Sequence, residues 1–322
     1  MIHFRSVSDL SQLVRSSLHR VPRDVDVVIG VPRSGMLVAN MLSLALNLPL
    51  ADVDGFTEGR LLAAGKTRRH AKLDAGFDQL KRALVVDDSI RTGAAMEEAM
   101  ATLRAKCPNV QFTRLVAYQS NEVARDASDI VLEIVPEPRV FEWNVMHHSV
   151  LANSCVDIDG ILCCDPTAEQ NDDGERYEQF LLAAEPLYLP TKPIRMLVSS
   201  RLEKYRSQTE EWLARHQIIY DQLVLLDLPS AKERREKGNH GQFKGSVFRK
   251  SDASLFIESE LPQVLVGAGK LDANSMIINL QPEENIRVKV MAKQPGLDRD
   301  IFVLFVLEHP PCAHRLASRA GS

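Results

Sequence analysis

The sequence predicts an α/β protein made of two doubly wound parallel sheets, and three observations lead there. Short β-branched runs alternate with helical stretches from the start of the chain, and these runs are apolar without period-two alternation, as strands covered on both faces are. A proline-broken segment, Pro136-Glu137-Pro138-Arg139, interrupts the alternation, after which a second β/α series begins. The 322 residues suffice for two cores at roughly 100–200 residues each. The reading is therefore one domain over residues 1–145, a second over 150–280, and a C-terminal extension over 281–322 whose role the sequence does not indicate.

In chain order, the first series has expected strands at Asp26-Val27-Val28-Ile29, Ala83-Leu84-Val85-Val86, Arg114-Leu115-Val116-Ala117 and Ile130-Val131-Leu132-Glu133. Between them, Ala94–Lys106 carries the i, i+3, i+4 apolar pattern of a helix. The second series opens at Ser154-Cys155-Val156-Asp157 and continues with strands at 194–198, 223–226 and 255–257. The tail contains a further pair of apolar runs, 286–291 and 301–307. Two polar stretches, 57–82 and 228–250, are rich in Lys, Arg and Gly and read as solvated loops unless the motifs beside them recruit their charge.

Composition narrows the classes. With 45% hydrophobic and 25% charged residues the chain is neither disordered nor a stapled mini-protein, and a net charge of −4 provides no global attraction to nucleic acid or anionic lipid. The N-terminus lacks the apolar core of a signal peptide, and no run approaches the roughly 20 apolar residues of a membrane span, so a cytoplasmic location is expected. The five cysteines are odd in number and form no Cys-x-x-Cys, and are expected as reduced thiols.

The first chemical motif is Leu84-Val85-Val86-Asp87-Asp88-Ser89-Ile90-Arg91-Thr92-Gly93-Ala94, an apolar strand expected to end at two acids and to turn through Gly93 into a helix. A helix N-terminus offers free N–H groups and a positive dipole end to a phosphate, while adjacent carboxylates suit hydroxyls or Mg²⁺ beside it. Val28-Ile29-Gly30-Val31-Pro32-Arg33-Ser34-Gly35 is an earlier strand and turn of similar design. Together these segments resemble the PRPP-binding signature of type I phosphoribosyltransferases. The resemblance implies that Asp87 and Asp88 engage the ribose hydroxyls, that Ser89, Ile90, Arg91, Thr92 and Gly93 wrap the 5-phosphate, and that Arg33, Ser34 and Gly35 neutralise the leaving diphosphate. The family's final loop Thr is Ala95 here. By position, residues 57–73, with Arg60, Lys66, Arg68, Arg69 and Lys72, correspond to the family's closing loop, and Phe141 and Trp143 form either a wall for the acceptor or part of the core.

The second motif is Cys155-Val156-Asp157-Ile158-Asp159-Gly160, which places two carboxylates on one face of an extended segment. One can attack phosphorus while the other moves protons, and both can gather Mg²⁺. Three elements follow in order: Met196-Leu197-Val198-Ser199-Ser200, then Gln242-Phe243-Lys244-Gly245, then Leu255-Phe256-Ile257-Glu258. This succession resembles the four motifs of haloacid-dehalogenase-type (HAD) phosphatases. The resemblance implies Asp157 as nucleophile, Asp159 as general acid/base, Ser199 and Lys244 as phosphoryl contacts, and Asp157, Asp159 and Glu258 as the Mg²⁺ site. About 40 residues separate Asp159 from Ser199, which implies a small cap or none. Both resemblances imply Rossmann-like folds, a phosphoribosyltransferase followed by a HAD-like domain.

Two phosphate-handling domains in one chain suggest consecutive steps, transfer of 5-phosphoribose from PRPP to an unidentified acceptor such as a glycan, and then removal of the 5-phosphate. The alternative is an effector of a bacterial antiphage system of retron type, restrained by a protein or nucleic-acid partner. Nucleobase salvage coupled to a nucleotidase ranks lower, since the second step would undo the first. Acceptor, anomeric outcome and oligomeric state are not legible in the sequence.

Overall fold

The computed structural model describes residues 2–62, 76–121, 127–230, 232–233, 240–259, 276–278 and 303–306. Its contacts divide the chain into two compact units, one spanning His3–Trp143 and the other continuing from Asn144.

Among its described residues the first unit contains β1 (His3–Arg5), β2 (Val27–Gly30), β3 (Leu50–Asp52), β4 (Arg82–Ile90), β5 (Gln111–Gln119), β6 (Ile130–Ile134) and β7 (Arg139–Phe141). Five of these form a parallel sheet in the order β3-β2-β4-β5-β6, while β1 pairs in parallel with β7. The absence of alternation in the central runs has its structural counterpart here. Val28, Leu84 and Val86 join a cluster with Leu10, Val14, Val38 and Leu42 from the helices Val7–Ser17 and Gly35–Leu46. Their neighbours Val27, Ile29, Ala83 and Val85 join the opposite cluster with Phe56, Met96, Met100 and Leu103, from the helices Val53–Thr57 and Ala94–Lys106. Each large side chain so buried contributes roughly 1.5–3 kcal/mol, so both faces favour this layering.

Local chemistry sets the element ends. The first helix begins in a capping box, Ser6 Oγ accepting from the Asp9 N–H at 3.0 Å while the Ser6 N–H donates to the Asp9 carboxylate at 3.0 Å. One expectation fails at β4. The strand expected to end at the two acids runs past them to Ile90 because β5 lies alongside, pairing Asp87 with Val116 and Ser89 with Tyr118.

The second unit contains β8 (Ser154–Val156), β9 (Ile194–Leu202), β10 (Tyr220–Leu226), β11 (Leu255–Glu258), β12 (Met276–Ile278) and β13 (Val303–Val306). They form a parallel sheet in the order β10-β9-β8-β11-β13-β12. Strand β13 comes from the stretch read as an extension, and β11 is flanked by β8 and β13. The expected run at 286–291 lies outside the described residues. The strand after Met196 continues to Leu202, through Ser199, Ser200 and Arg201. Cys107, Cys155 and Cys163 are free thiols, but Cys164 is disulfide-bonded, which corrects the expectation of uniformly reduced cysteines. Spacing alone gives no measure of which sulfurs the fold brings within bonding reach.

Among the described residues no helix is long and apolar enough to cross a membrane.

Candidate functional sites

In the first unit the site forms where β2 and β4 lie side by side. The turn after β2, with a cis peptide between Pro32 and Arg33, is tied to β4 by the Val31 N–H donating to the Val86 carbonyl at 2.9 Å. Gly35 then starts a helix so close to β4 that a Cβ would stand 2.8 Å from the Val86 carbonyl oxygen and 2.9 Å from Asp87 Oδ1, and only glycine fits without a shift. This approach sets Ser34 Oγ 2.8 Å from Asp88 Oδ1, to which it donates. Asp88 Oδ2 accepts from the Trp143 indole N–H at 2.8 Å, and the Asp88 backbone N–H donates to Asp87 Oδ1 at 2.8 Å.

Both acids are buried. Burial, followed by the charge of Asp88, pushes the Asp87 carboxyl up from 3.8 to about 8. Past Ile90 the chain turns through Gly93, whose φ of 86° favours glycine, into the helix Ala94–Lys106. Gly93 offers no side-chain cap to that helix, and the Ala94 N–H donates to Thr92 Oγ1 at 3.5 Å. Arg33, Arg91 and Thr92 are exposed, and Ser89 is half-buried. The structure thus gathers Ser34, Gly35, Asp87 and Asp88 in direct contact, with Ser89 and Ile90 at the end of β4 and the turn through Gly93 continuing from them. Lys66, Arg68, Arg69 and Lys72 lie outside the described residues. Arg60 is paired with Glu58 at 2.8 Å. Phe141 is buried in the core cluster beside Tyr118, and Trp143 packs against that cluster.

In the second unit Asp157 follows β8 and Glu258 ends β11, adjacent strands that bring the two carboxylates together. Lys244, on the helix His240–Lys250, bridges them, donating to Asp157 Oδ2 at 2.6 Å and to Glu258 Oε2 at 2.8 Å. All three are buried. Burial and the Glu258 charge push Asp157 well above the usual carboxylate range, and Lys244 opposes this. Burial alone would lower Lys244, but the two carboxylates hold it above its ordinary value.

Asp159 has a different partner. Arg201 grips it from two sides, Nη2 to Oδ1 at 2.7 Å and Nε to Oδ2 at 3.0 Å, and also donates to Cys163 Sγ at 3.2 Å. Burial pushes Asp159 up, yet the guanidinium prevails and holds it below the usual carboxylate range. Ser199 Oγ lies 3.5 Å from Asp159 Oδ2. Gly160 has a φ of 77°, and a Cβ there would stand 2.3 Å from Ser259 Oγ, so the chain passes the end of β11 in close contact. Sequence reasoning missed Arg201, whose only signal was a charge inside an otherwise apolar and hydroxylic strand.

For Mg²⁺ the donor sets differ. Among the described residues no group of three or more His, Cys, Asp or Glu side chains is placed to hold a metal. Asp157 and Glu258 meet at one ammonium, and with Asp157 held toward its neutral form they are the two oxygen donors that fit a cation there. The Asp159 side chain is committed to Arg201 and does not fit as a ligand.

In the first unit a strand, an acid pair and a helix start thus stand together on a parallel sheet. Residues 5–150 match the phosphoribosyl transferase domain family. Two curated relatives are each called "Transcriptional regulator GfcR". The one from Methanothrix thermoacetophila is 28% identical over 96 residues, covering 29% of this chain and 46% of the relative, and the one from Methanococcoides burtonii is 28% identical over 97 residues, covering 30% and 46%. The chain spans about half the length of these relatives. Among solved structures, the Helicobacter pylori xanthine-guanine-hypoxanthine phosphoribosyltransferase is 22% identical, covering 45% of this chain and 93% of that one with a TM-score of 0.33. The Aeropyrum pernix orotate phosphoribosyltransferase is 24% identical, covering 39% and 69% with a TM-score of 0.29.

Proposed function

We propose that the chain transfers 5-phosphoribose from PRPP to an acceptor in its first unit and removes the 5-phosphate in its second. The observation that carries the first step is the Ser34–Asp88 contact, which joins the diphosphate-facing turn to the acid pair within the stretch that matches the family. In this reading Asp87 and Asp88 accept hydrogen bonds from the ribose hydroxyls, and the N–H groups from Ser89 to Gly93 bind the 5-phosphate. Arg33, with the backbone at Ser34 and Gly35, neutralises charge as the diphosphate leaves. Mg²⁺ bound with PRPP would supply further neutralisation of the diphosphate.

The second step rests on the buried Asp157–Lys244–Glu258 cluster in a HAD-like unit with a small cap or none. Asp157 attacks phosphorus as the ester P–O bond breaks and Asp159, as general acid, gives a proton to the departing sugar oxygen; water then displaces Asp157 from phosphorus, releasing phosphate and returning a proton to Asp159. Ser199 and Lys244 hold the phosphoryl oxygens. Asp157 and Glu258 would hold Mg²⁺, which screens the approach of two anions.

Calorimetry of the full chain with PRPP and Mg²⁺ tests the first step. The double variant Asp87→Asn, Asp88→Asn should lose PRPP affinity at least tenfold while its melting curve remains cooperative, and an unchanged affinity refutes the assignment. Binding of PRPP without consumption would favour a regulatory role, the curated relatives being named as transcriptional regulators.

A further inference from the structure

Asp88 is held by more than its own strand. Its Oδ1 accepts from Ser34 at 2.8 Å and its Oδ2 from the Trp143 indole N–H at 2.8 Å, so each oxygen has a fixed donor and the carboxylate cannot rotate freely. Trp143 is fixed in turn, its ring stacked on Phe141 at 4.9 Å and 12° and facing Tyr118 at 6.3 Å and 23°. The Arg139 guanidinium also lies over the Phe141 ring, 5.5 Å from its centroid. Arg139 is buried and donates through Nη2 to the Ile90 carbonyl at 2.7 Å. One short segment, β7 and the turn after it, therefore reaches β4 at two points. Trp143 holds Asp88 and Arg139 the end of β4 at Ile90, and Phe141 packs against both.

We infer that Trp143 and Arg139 are positioning residues of the sugar-phosphate site, Trp143 orienting Asp88 toward a ribose diol and Arg139 fixing the backbone that binds the 5-phosphate. The inference rests on the reading of Asp87 and Asp88 as the ribose contact. It also assigns the indole a task other than an acceptor wall, since its N–H is engaged by Asp88 and its ring by Phe141. Ligands divide accordingly. A ribose phosphate uses both contacts, whereas inorganic phosphate uses only the loop.

The test is titration of the full chain with ribose 5-phosphate, PRPP with Mg²⁺, and inorganic phosphate, followed by calorimetry and tryptophan fluorescence. Removing one hydrogen bond to a carboxylate corresponds to about tenfold in affinity. Trp143→Phe keeps the stack and should weaken ribose 5-phosphate and PRPP about tenfold while leaving inorganic phosphate unchanged. Trp143→His, whose ring can donate an N–H, should recover part of the loss, and Arg139→Gln should weaken all three ligands. Ribose 5-phosphate should shift the wild-type emission, and the shift should vanish in Trp143→Phe, which retains Trp212, the other of the two tryptophans. Equal weakening of all three ligands in Trp143→Phe, or none, overturns the role of Trp143 while leaving the ribose site in place. If the wild type binds inorganic phosphate but neither sugar phosphate, the ribose reading fails and this inference with it.

Discussion

At the residue scale the decisive feature of the first site is a carboxyl that resists ionisation. Asp87 is buried against Asp88, and its pKa rises from 3.8 to about 8. A raised pKa in the folded state means that folding favours the protonated form. The associated stability is complete below about pH 4, where the unfolded chain is also protonated, and is lost as pH rises through about 8. Asp87→Asn does not titrate, so the variant should gain on the wild type between pH 5 and pH 9 by roughly 1–3 kcal/mol, read from urea unfolding of the full chain at both values. Parallel stability curves for the two proteins would contradict the burial argument. The second site handles its charge by pairing, with Lys244 between Asp157 and Glu258 and Arg201 on Asp159.

At the element scale, the close approach of the helix Gly35–Leu46 to β4 joins the fold to the site. Any Cβ at position 35 meets backbone and a buried carboxylate within 3.0 Å, and neither can swing aside. Gly35→Ala should therefore push the helix away from β4, destabilise the unit by about 1–3 kcal/mol and weaken PRPP binding, because the Ser34–Asp88 bond lengthens. Gly76→Ala is the control, since nothing lies within 4 Å of its added Cβ. Melting curves and PRPP titrations of the two variants should diverge, and a neutral Gly35→Ala would show that the approach has slack. The short strands β1 and β7 illustrate a limit of pattern reading. Each has three residues, too few for a period to register, and they pair across most of the unit's length, His3 with Arg139.

At the scale of the whole molecule, two units with separate anionic sites make the order of steps testable. If they act in sequence, Asp157→Asn should still consume PRPP and accumulate an acceptor carrying ribose 5-phosphate. The Asp87→Asn, Asp88→Asn variant should yield neither that species nor the dephosphorylated product. Mass spectrometry of extracts incubated with PRPP and Mg²⁺ separates these outcomes by one phosphate. The loss of the second step should amount to orders of magnitude, since the nucleophile itself is removed. Dephosphorylated product at the wild-type rate from Asp157→Asn would refute the coupling.

The sequence by itself determined the layered α/β class and the parallel strands at the centre of each sheet. A run such as Leu84-Val85-Val86 is apolar on both faces and has nowhere to lie except between two layers of side chains. Gly93 was legible for a local reason, since a turn at positive φ selects a residue without a Cβ, whereas the close approaches at Gly35 and Gly160 are to β4 and to Ser259. What only the tertiary structure decided is which polar groups meet across distance in the chain. Trp143 reaches Asp88 over 55 positions, Arg139 reaches Ile90 over 49, and Arg201 reaches Asp159 over 42. No local pattern encodes those pairs. A buried donor finds its acceptor where packing places it, and the packing is a property of the closed fold.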